Sequence, residues 1–513
     1  MSHNMSHVLL PDAVRQYSNY AQKGDLIAIA KKMHSEGEKQ RYTTLLLMKL
    51  LENEDPDIQS LLGDFYYQGT GVYKDLDKAV SMFRSAANRG SRRADYDLAW
   101  YYYDTKDYVR AIEHFKQCIA PESGLDDGNV GRSHRCMANA FANMPNPDMQ
   151  QAVNHWRIAA DKYHDSFASK KLGFWFSESG TDHCDAHMCQ HYLNIAIEQG
   201  DTEAVHRMAQ LYMFGDESLG IKADGYRAEQ VLLPFADKND VDILEDLGFV
   251  YRRGDGVTQN YNLSKQYFER AWNIFRSPWL ASQLGYVYYL LEDYANARDK
   301  LEYADARGNY NFSDFLGRMY REALGGPADL YRAKNYYGHT YGINSMSNFF
   351  TFSEYADLLV ELGDYQEAYD VSSKGVEVHN DIHFYFIMAK LVLTFRVRNQ
   401  MEQAEAIDTL DECIERDYNA KEANWILAEY CNNTHRYQRA IRHYAKAFEA
   451  GNADAAVAIG RIYEKGDGSV GLDPNLAYDW YLKAANAGSA IGRAEVACFT
   501  TSFFGKVKRV RHL

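Results

Sequence analysis

The sequence predicts an all-α chain, a right-handed α-solenoid (superhelix) of about a dozen helix-turn-helix repeats. Three observations predict it. The 513 residues include only 9 Pro but 40 Tyr, so few helix breakers interrupt the chain and one aromatic position is filled again and again. A short pattern of apolar, small, two residues, tyrosine recurs in "LGDFYYQGTGV" from Leu62, "LGFVYRRGDGV" from Leu247 and "IGRIYEKGDGS" from Ile459. A second pattern follows it, as in "KAVSMFRSAANRG" and "LAYDWYLKAANAG". Copies recur about every 32 to 40 residues, the period of paired-helix repeats.

Each element of the repeat has a physical reading. An apolar residue, a small residue and an aromatic at i, i+1 and i+4 form one stripe on a helix. The small residue (Gly63, Gly173, Gly248, Gly285, Gly317 or Gly460) lets a second helix approach closely, and the tyrosine covers the joint. The partner helix carries Ala79, Phe83 and Ala86, a small-large-small stripe at i, i+4 and i+7. One such hairpin cannot bury its own apolar face, whereas stacked copies bury a continuous core. The loop "QGTGV" (68–72) lies between the two helices. A nucleotide-binding glycine loop should follow a strand, and a P-loop would add Lys then Ser or Thr. Here a helix precedes it and no such pair follows, so Gly69 and Gly71 are expected to supply backbone angles that a side chain penalises.

The stretches 62–90, 247–272 and 459–488 resemble Sel1-like repeats, relatives of tetratricopeptide repeats with a longer loop. "YADLLVELGDYQEAYDVSSKG" (355–375) and "LAWYYYDTKDYVRAIEHF" (98–115) lack the glycine loop and resemble plain tetratricopeptide units. The resemblance covers most of 55–490. It implies a superhelix whose first helices line a concave wall, and bacterial roles in signalling, secretion-linked assembly or neutralising a cognate protein.

Around the repeats, residues 1–54 are expected to form a helical cap, 55–490 the solenoid, and 491–513 a closing helix with a basic tail. "PESGLDDGNVGRS" (121–133), "NMPNPD" (143–148) and "ALGGPADL" (323–330) read as loops. The pattern degenerates around 134–160, 201–238 and 383–417, where changes of curvature are expected. No shift in composition demands a second domain.

The totals exclude several classes of function. A net charge of −15 opposes nucleic-acid binding, since an acidic surface repels phosphates. The exception is the cluster Lys506, Lys508, Arg509 and Arg511, read as a solvated tail, with a short contact to an acidic partner or membrane as the alternative. Seven scattered Cys give no disulfide framework, which fits a reducing, cytoplasmic setting. The N-terminus has only Val8 to Leu10 as an apolar run before Pro11, too little for a secretory signal. No stretch approaches the roughly 20 apolar residues of a membrane span.

The strongest chemical cluster is His183, Cys184, His187, Cys189 and His191. Zinc would need about four such groups converging. Aligning Gly200 with Gly90, however, places Cys189 on Ala79, the small buried slot, and turns His187 and His191 to the polar side. No catalytic motif is found, and neither a cofactor nor a metal is expected. The partner-binding candidates come from the first helix, at the positions just after the small residue and just after the tyrosine. They are Tyr67, Trp100, Tyr103, Phe174, Phe249, Arg252, Tyr286, Tyr289, Arg318 and Arg321, in a column that also includes Asp64, Gln210, Met213, Glu429, Asn432, Arg461 and Glu464. Exposed aromatics and arginine are the chemistry of binding hot spots, and Arg318 and Arg321 are expected to meet carboxylates or a chain terminus. The expected function is a non-catalytic scaffold or adaptor that grips a protein or peptide segment in the groove. The alternatives are an inhibitor or immunity protein wrapping an effector, and a metal-dependent enzyme using the 183–191 cluster.

Overall fold

The computed structural model describes residues 55–69, 73–343, 349–395, 397, 401–466, 469–501 and 507–510. The expected cap over 1–54, Gly71, Lys506 and Arg511 lie outside the described residues. These fall into two compact units that divide between Ile274 and Phe275, where the sequence shows no change of composition.

Among the described residues, the first unit stacks six helix pairs. α1 (Pro56–Gln68) pairs with α2 (Leu76–Asn88), α3 (Arg92–Asp104) with α4 (Tyr108–Cys118), and α5 (Asp127–Asn143) with α6 (Met149–Arg157). α7 (Ser166–Phe176) pairs with α8 (Ala186–Glu198), α9 (Thr202–Phe214) with α10 (Gly225–Leu232), and α11 (Val241–Arg253) with α12 (Tyr261–Ile274).

The second unit repeats the arrangement. Its pairs are α13 (Pro278–Leu290) with α14 (Tyr294–Asp305), α15 (Ser313–Arg321) with α16 (Leu330–Ile343), and α17 (Phe349–Leu362) with α18 (Tyr365–His379). Then come α19 (Ile382–Lys390) with α20 (Gln403–Glu415), α21 (Ala420–Asn433) with α22 (Tyr437–Glu449), and α23 (Ala453–Lys465) with α24 (Pro474–Asn486). Helix α25 (Ala490–Val496) and a two-stranded antiparallel hairpin, β1 (Phe499–Thr501) and β2 (Val507–Arg509), complete it. The closing element is therefore half helix and half hairpin. Phe499, Thr500, Thr501 and Val507 favour extended backbone over a longer helix.

Aspartate opens many of these helices. Asp75 accepts the Lys78 N–H at 2.9 Å, Asp165 the Ala168 N–H at 2.9 Å, and Asp473 the Leu476 N–H at 3.0 Å. A carboxylate there satisfies an orphan donor and complements the helix dipole, so part of the acidic excess has a structural task. At the other end, Gly69 (φ +77°) and Gly254 (φ +73°) cap α1 and α11 in the left-handed region. The glycine loop is a hinge between helices.

The joint itself is a glycine facing a large side chain. An ideal Cβ on Gly63 would lie 2.7 Å from the Phe83 ring, one on Gly173 2.6 Å from Leu193, and one on Gly460 2.6 Å from the Tyr481 ring. The lid follows its glycine by 20 residues at 63/83, 173/193, 248/268 and 317/337, by 21 at 460/481, and by 16 at 285/301. The short case is the hairpin α13–α14, which has no glycine loop.

Segment 121–133 departs from expectation. Pro121–Ser123 make a 3₁₀ turn, and from Asp127 onward the segment is helix α5. Asp126 caps it by accepting the Asn129 N–H at 2.8 Å, and Gly131 is another joint, its ideal Cβ 2.7 Å from Tyr163 Cβ. The loop readings for 143–148 and 323–330 match the breaks after α5 and α15. Each degenerate stretch contains or adjoins an irregular turn: π-type at Ile158–Lys162 and Leu391–Phe395, 3₁₀ at Leu233–Lys238. No described helix is long and apolar enough to cross a membrane.

Candidate functional site

Within each unit, first helices of neighbouring hairpins touch, as α1 does α3, α9 does α11, and α17 does α19. They form a wall, and the tyrosines of the repeat pin it to the second helices. Tyr66 Oη accepts from Lys78 Nζ at 2.7 Å within its own hairpin, whereas Tyr251 Oη donates to Glu229 of the preceding hairpin at 2.6 Å. Tyr320 bonds both ways, donating to Glu302 and accepting from Arg332.

All ten candidate binding residues are half-buried on this wall. In the first unit, Trp100 packs edge-on against Tyr96, Tyr103 and Phe115, with ring centroids 5.9–6.2 Å apart. Tyr67 donates to Asp104 Oδ2 at 2.9 Å; burial, then that carboxylate, pushes its phenol up to about 12, so it stays a donor. Phe174 packs on the core of α7–α9, and Phe249 meets the Phe268 ring edge-on at 5.7 Å, with Arg252 4.7 Å over its face. Met213, expected on the same column, is buried.

In the second unit, Tyr286 stacks on Phe312 at 4.4 Å and Tyr289 meets Phe315 at 4.9 Å. The arginines already hold carboxylates of this chain. Arg318 grips Glu354 with two bonds, Nη2 to Oε1 at 2.5 Å and Nε to Oε2 at 3.2 Å, and Arg321 reaches Glu361 at 3.3 Å. Both acids lie on α17, one hairpin further on, so the carboxylates that the sequence assigned to a partner are internal.

Further along, an open cleft of about 780 Å³ lies among α21, α22, α23 and α25. Its walls include Glu429, Asn432 and Arg461 from the expected column, together with Trp425 and Asp454. Glu429 accepts from Tyr444 Oη at 2.5 Å, and Trp425 packs on the Tyr444 ring at 5.4 Å. Tyr444 is fully buried; burial, then Glu429, pushes its phenol up. Trp425 was missed because it sits three residues before the small residue Ala428, a position the pattern assigns to no face.

The 183–191 cluster does not converge. Cys189 is fully buried, as is its counterpart Ala79. His187 and His191 are exposed with parallel rings 6.5 Å apart, and His183 stacks on Trp175 while bonded to Glu178. Among the described residues, no group of three or more His, Cys, Asp or Glu is placed to hold a metal.

The basic tail is partly structural. Arg509 is tucked between Glu464 and Glu495, bonding them through Nη2 at 2.8 and 2.5 Å.

Comparison with known proteins agrees with this geometry. A family profile described as Sel1 repeat matches residues 56–91, 92–117, 143–164, 167–201, 202–230, 244–271, 315–338, 437–452 and 453–489. The sel1-like repeat-containing protein L21 of Acanthamoeba polyphaga mimivirus is 27% identical over 111 residues, which is 22% of this chain and 20% of that protein. The chitin synthase regulator SKT5 of Saccharomyces cerevisiae is 22% identical over 212 residues, 40% of this chain and 30% of that protein. The chain thus spans less than a third of either curated relative. Among solved structures, c5321, a protective antigen present in uropathogenic Escherichia coli strains and displaying an SLR fold, superposes with a TM-score of 0.58 at 20% identity. That match covers 88% of this chain and 89% of that one, and at such identity it speaks for the fold. With its hairpins, glycine joints and nine matched repeats, the chain belongs to the Sel1 repeat family.

Proposed function

We propose that the chain is a non-catalytic protein-binding scaffold or adaptor whose first-helix walls grip segments of a partner polypeptide. The observation that carries this reading is the half-buried aromatic set on each wall: Tyr67, Trp100, Tyr103, Phe174 and Phe249 in the first unit, Tyr286 and Tyr289 in the second. Each ring is fixed by packing yet keeps part of its surface exposed, so it can bury area on a partner with little loss of its own freedom. Arg252, Arg318 and Arg321 edge these surfaces. For Arg318 and Arg321 the guanidinium face is the binding feature, because Glu354 and Glu361 occupy their donors. One relative is a chitin synthase regulator, which supports extending the adaptor reading to regulation of another protein. The compartment that suits this reading is the cytoplasm, since seven free cysteines, six of them buried, need no oxidant.

The test is affinity capture from the native host with wild type and a Trp100→Ala, Tyr289→Ala double variant. The variant is expected to lose partners that the wild type retains. Unchanged recovery by a variant with wild-type helicity overturns the groove reading.

A further inference from the structure

Among the described residues the second unit pairs a buried tyrosine with a glutamate at several places, and at three of them, one lacking its basic partner, the surroundings are alike. In the first, buried Tyr337 donates to Glu354 Oε2 at 2.8 Å, and Arg318 binds that glutamate while lying 5.7 Å over the Phe315 ring. In the second, buried Tyr481 donates to Glu464 Oε2 at 2.8 Å. Arg509 binds that glutamate and lies 4.9 Å over Phe499, a ring that itself packs on Tyr481 at 5.8 Å. The parts are the same both times: a buried tyrosine that orients a glutamate, an aromatic face beside it, and an arginine that fills the remaining valences.

The third copy lies in the 780 Å³ cleft. Buried Tyr444 orients Glu429, and Trp425 supplies the aromatic ring, packed at an angle on Tyr444. Among the described residues no cation bonds Glu429. The basic side chains of the same cleft are turned elsewhere: Arg461 pairs with Glu495 at 3.2 Å, and Lys465 stands exposed at the rim, while His435 bonds Tyr437 Oη at 2.8 Å. Asp454, the other acid of the cleft, accepts from Ser489 Oγ at 2.5 Å. An oriented carboxylate and an indole lining one cleft match a planar guanidinium, which can bond the acid in-plane and stack on the ring.

Resting on the groove reading above, we infer that the Glu429–Trp425 cleft is a receptor for an arginine side chain on an extended segment of a partner protein. The occupant is inferred from the two places where an aromatic ring lies beside the pair and an arginine completes it; Glu367, oriented by Tyr355, takes Lys334 instead. One of those is Arg509 on strand β2, an extended segment laid against the first-helix residue Glu464. Chemical complementarity thus selects a basic, extended peptide for the third copy.

The experiment is selection from a random-peptide display library on the full chain, on Glu429→Gln, and on Trp425→Leu. Gln keeps an acceptor for Tyr444 and nearly the same volume, so fold is retained. The wild type is expected to enrich peptides with arginine at one fixed position. Both variants should lose that preference, with citrulline in place of arginine lowering affinity at least tenfold in synthetic versions of the winners. Enriched peptides without a basic position, or with one indifferent to Glu429→Gln, overturn the arginine receptor and leave the groove reading standing. If the wild type enriches nothing, the receptor falls as well, and the capture experiment with the Trp100 and Tyr289 variant decides the groove reading separately.

Discussion

The ring of Phe268 occupies the place that a side chain on Gly248 would need: an ideal Cβ there lies 2.7 Å from both Cε1 and Cζ. Gly248 is on α11 and Phe268 on α12, and both are buried. The absence of a side chain at one position thus sets the distance between two helices.

Gly248→Leu is therefore expected to force the hairpin apart and cost about 1–3 kcal/mol, the usual range for an overpacked core. Gly248→Ala should cost less, because only one carbon must be absorbed by a shift of the Phe268 ring. Urea unfolding followed by circular dichroism measures both. A Leu variant with an unchanged midpoint would mean that the ring moves freely and that the glycine does not define the joint.

A second prediction separates the two arginines of α15. Arg318 binds Glu354 with two bonds in a half-buried setting that also receives the Tyr337 hydroxyl. Arg321 makes two long bonds, to the Glu354 carbonyl at 3.4 Å and to Glu361 at 3.3 Å, and the Glu361 side chain is about half exposed. Arg318→Met should cost about 1.5–3 kcal/mol, the value of hydrogen bonds to charged groups. Arg321→Met should cost about 0–1 kcal/mol, as exposed pairs do. Equal losses in the two variants would refute the distinction.

The repeat was legible because its signal is chemical and local. A residue without a side chain beside an apolar one, with a tyrosine three positions on from it, has one use in a helix, and the copies point to stacking. Cys189 could also be placed by register, since its counterpart Ala79 is fixed by the same pattern. What could not be read were pairings across hairpins. Nothing near Arg318 in sequence indicates Glu354, which lies 36 residues on, and the same distance problem hid the partners of Arg509. Segment 121–133 misled for another reason. Its glycines and aspartates are turn formers by composition, yet here Asp126 caps a helix and Gly131 admits Tyr163.

The C-terminal hairpin leads to a third prediction. Arg509 lies between Glu464 and Glu495, and the Glu495 side chain is only 5% exposed. Removing the guanidinium leaves two carboxylates together in a poorly solvated place, with Arg461 reaching Glu495 alone. Arg509→Ala should destabilise this end of the second unit by about 3–5 kcal/mol, as breaking a buried ion pair does. Adding Glu464→Gln should recover part of that loss by removing one charge. Hydrogen exchange of α24 and α25 amides reports it locally. Protection equal to wild type in Arg509→Ala would show that the hairpin is only draped over the end.

The last prediction concerns acid. His134 on α5 and His155 on α6 share a hydrogen bond, Nδ1 to Nδ1 at 2.8 Å, and the His134 ring also stacks near Tyr163. Burial, followed by the charges of His155 and Lys162, lowers His134 to about 4, and burial with Lys116 lowers His155 too. A histidine held neutral in the folded chain contributes stability that is fully present above the free value near 6.5 and is lost as pH falls through about 4. Several buried or half-buried carboxyls act in the opposite sense. Burial raises Asp97 and Asp246 to about 6 and Glu245 to about 7, so their protonation relieves strain over part of the same range. The net pH profile mixes both signs, and the comparison that isolates the histidines is wild type against His134→Gln. Between pH 7.5 and 5 the urea midpoint of wild type is expected to fall more than that of the variant, because Gln leaves one fewer imidazole to be protonated on unfolding. Equal falls would mean that the pair takes up its proton without opening the α5–α6 hairpin.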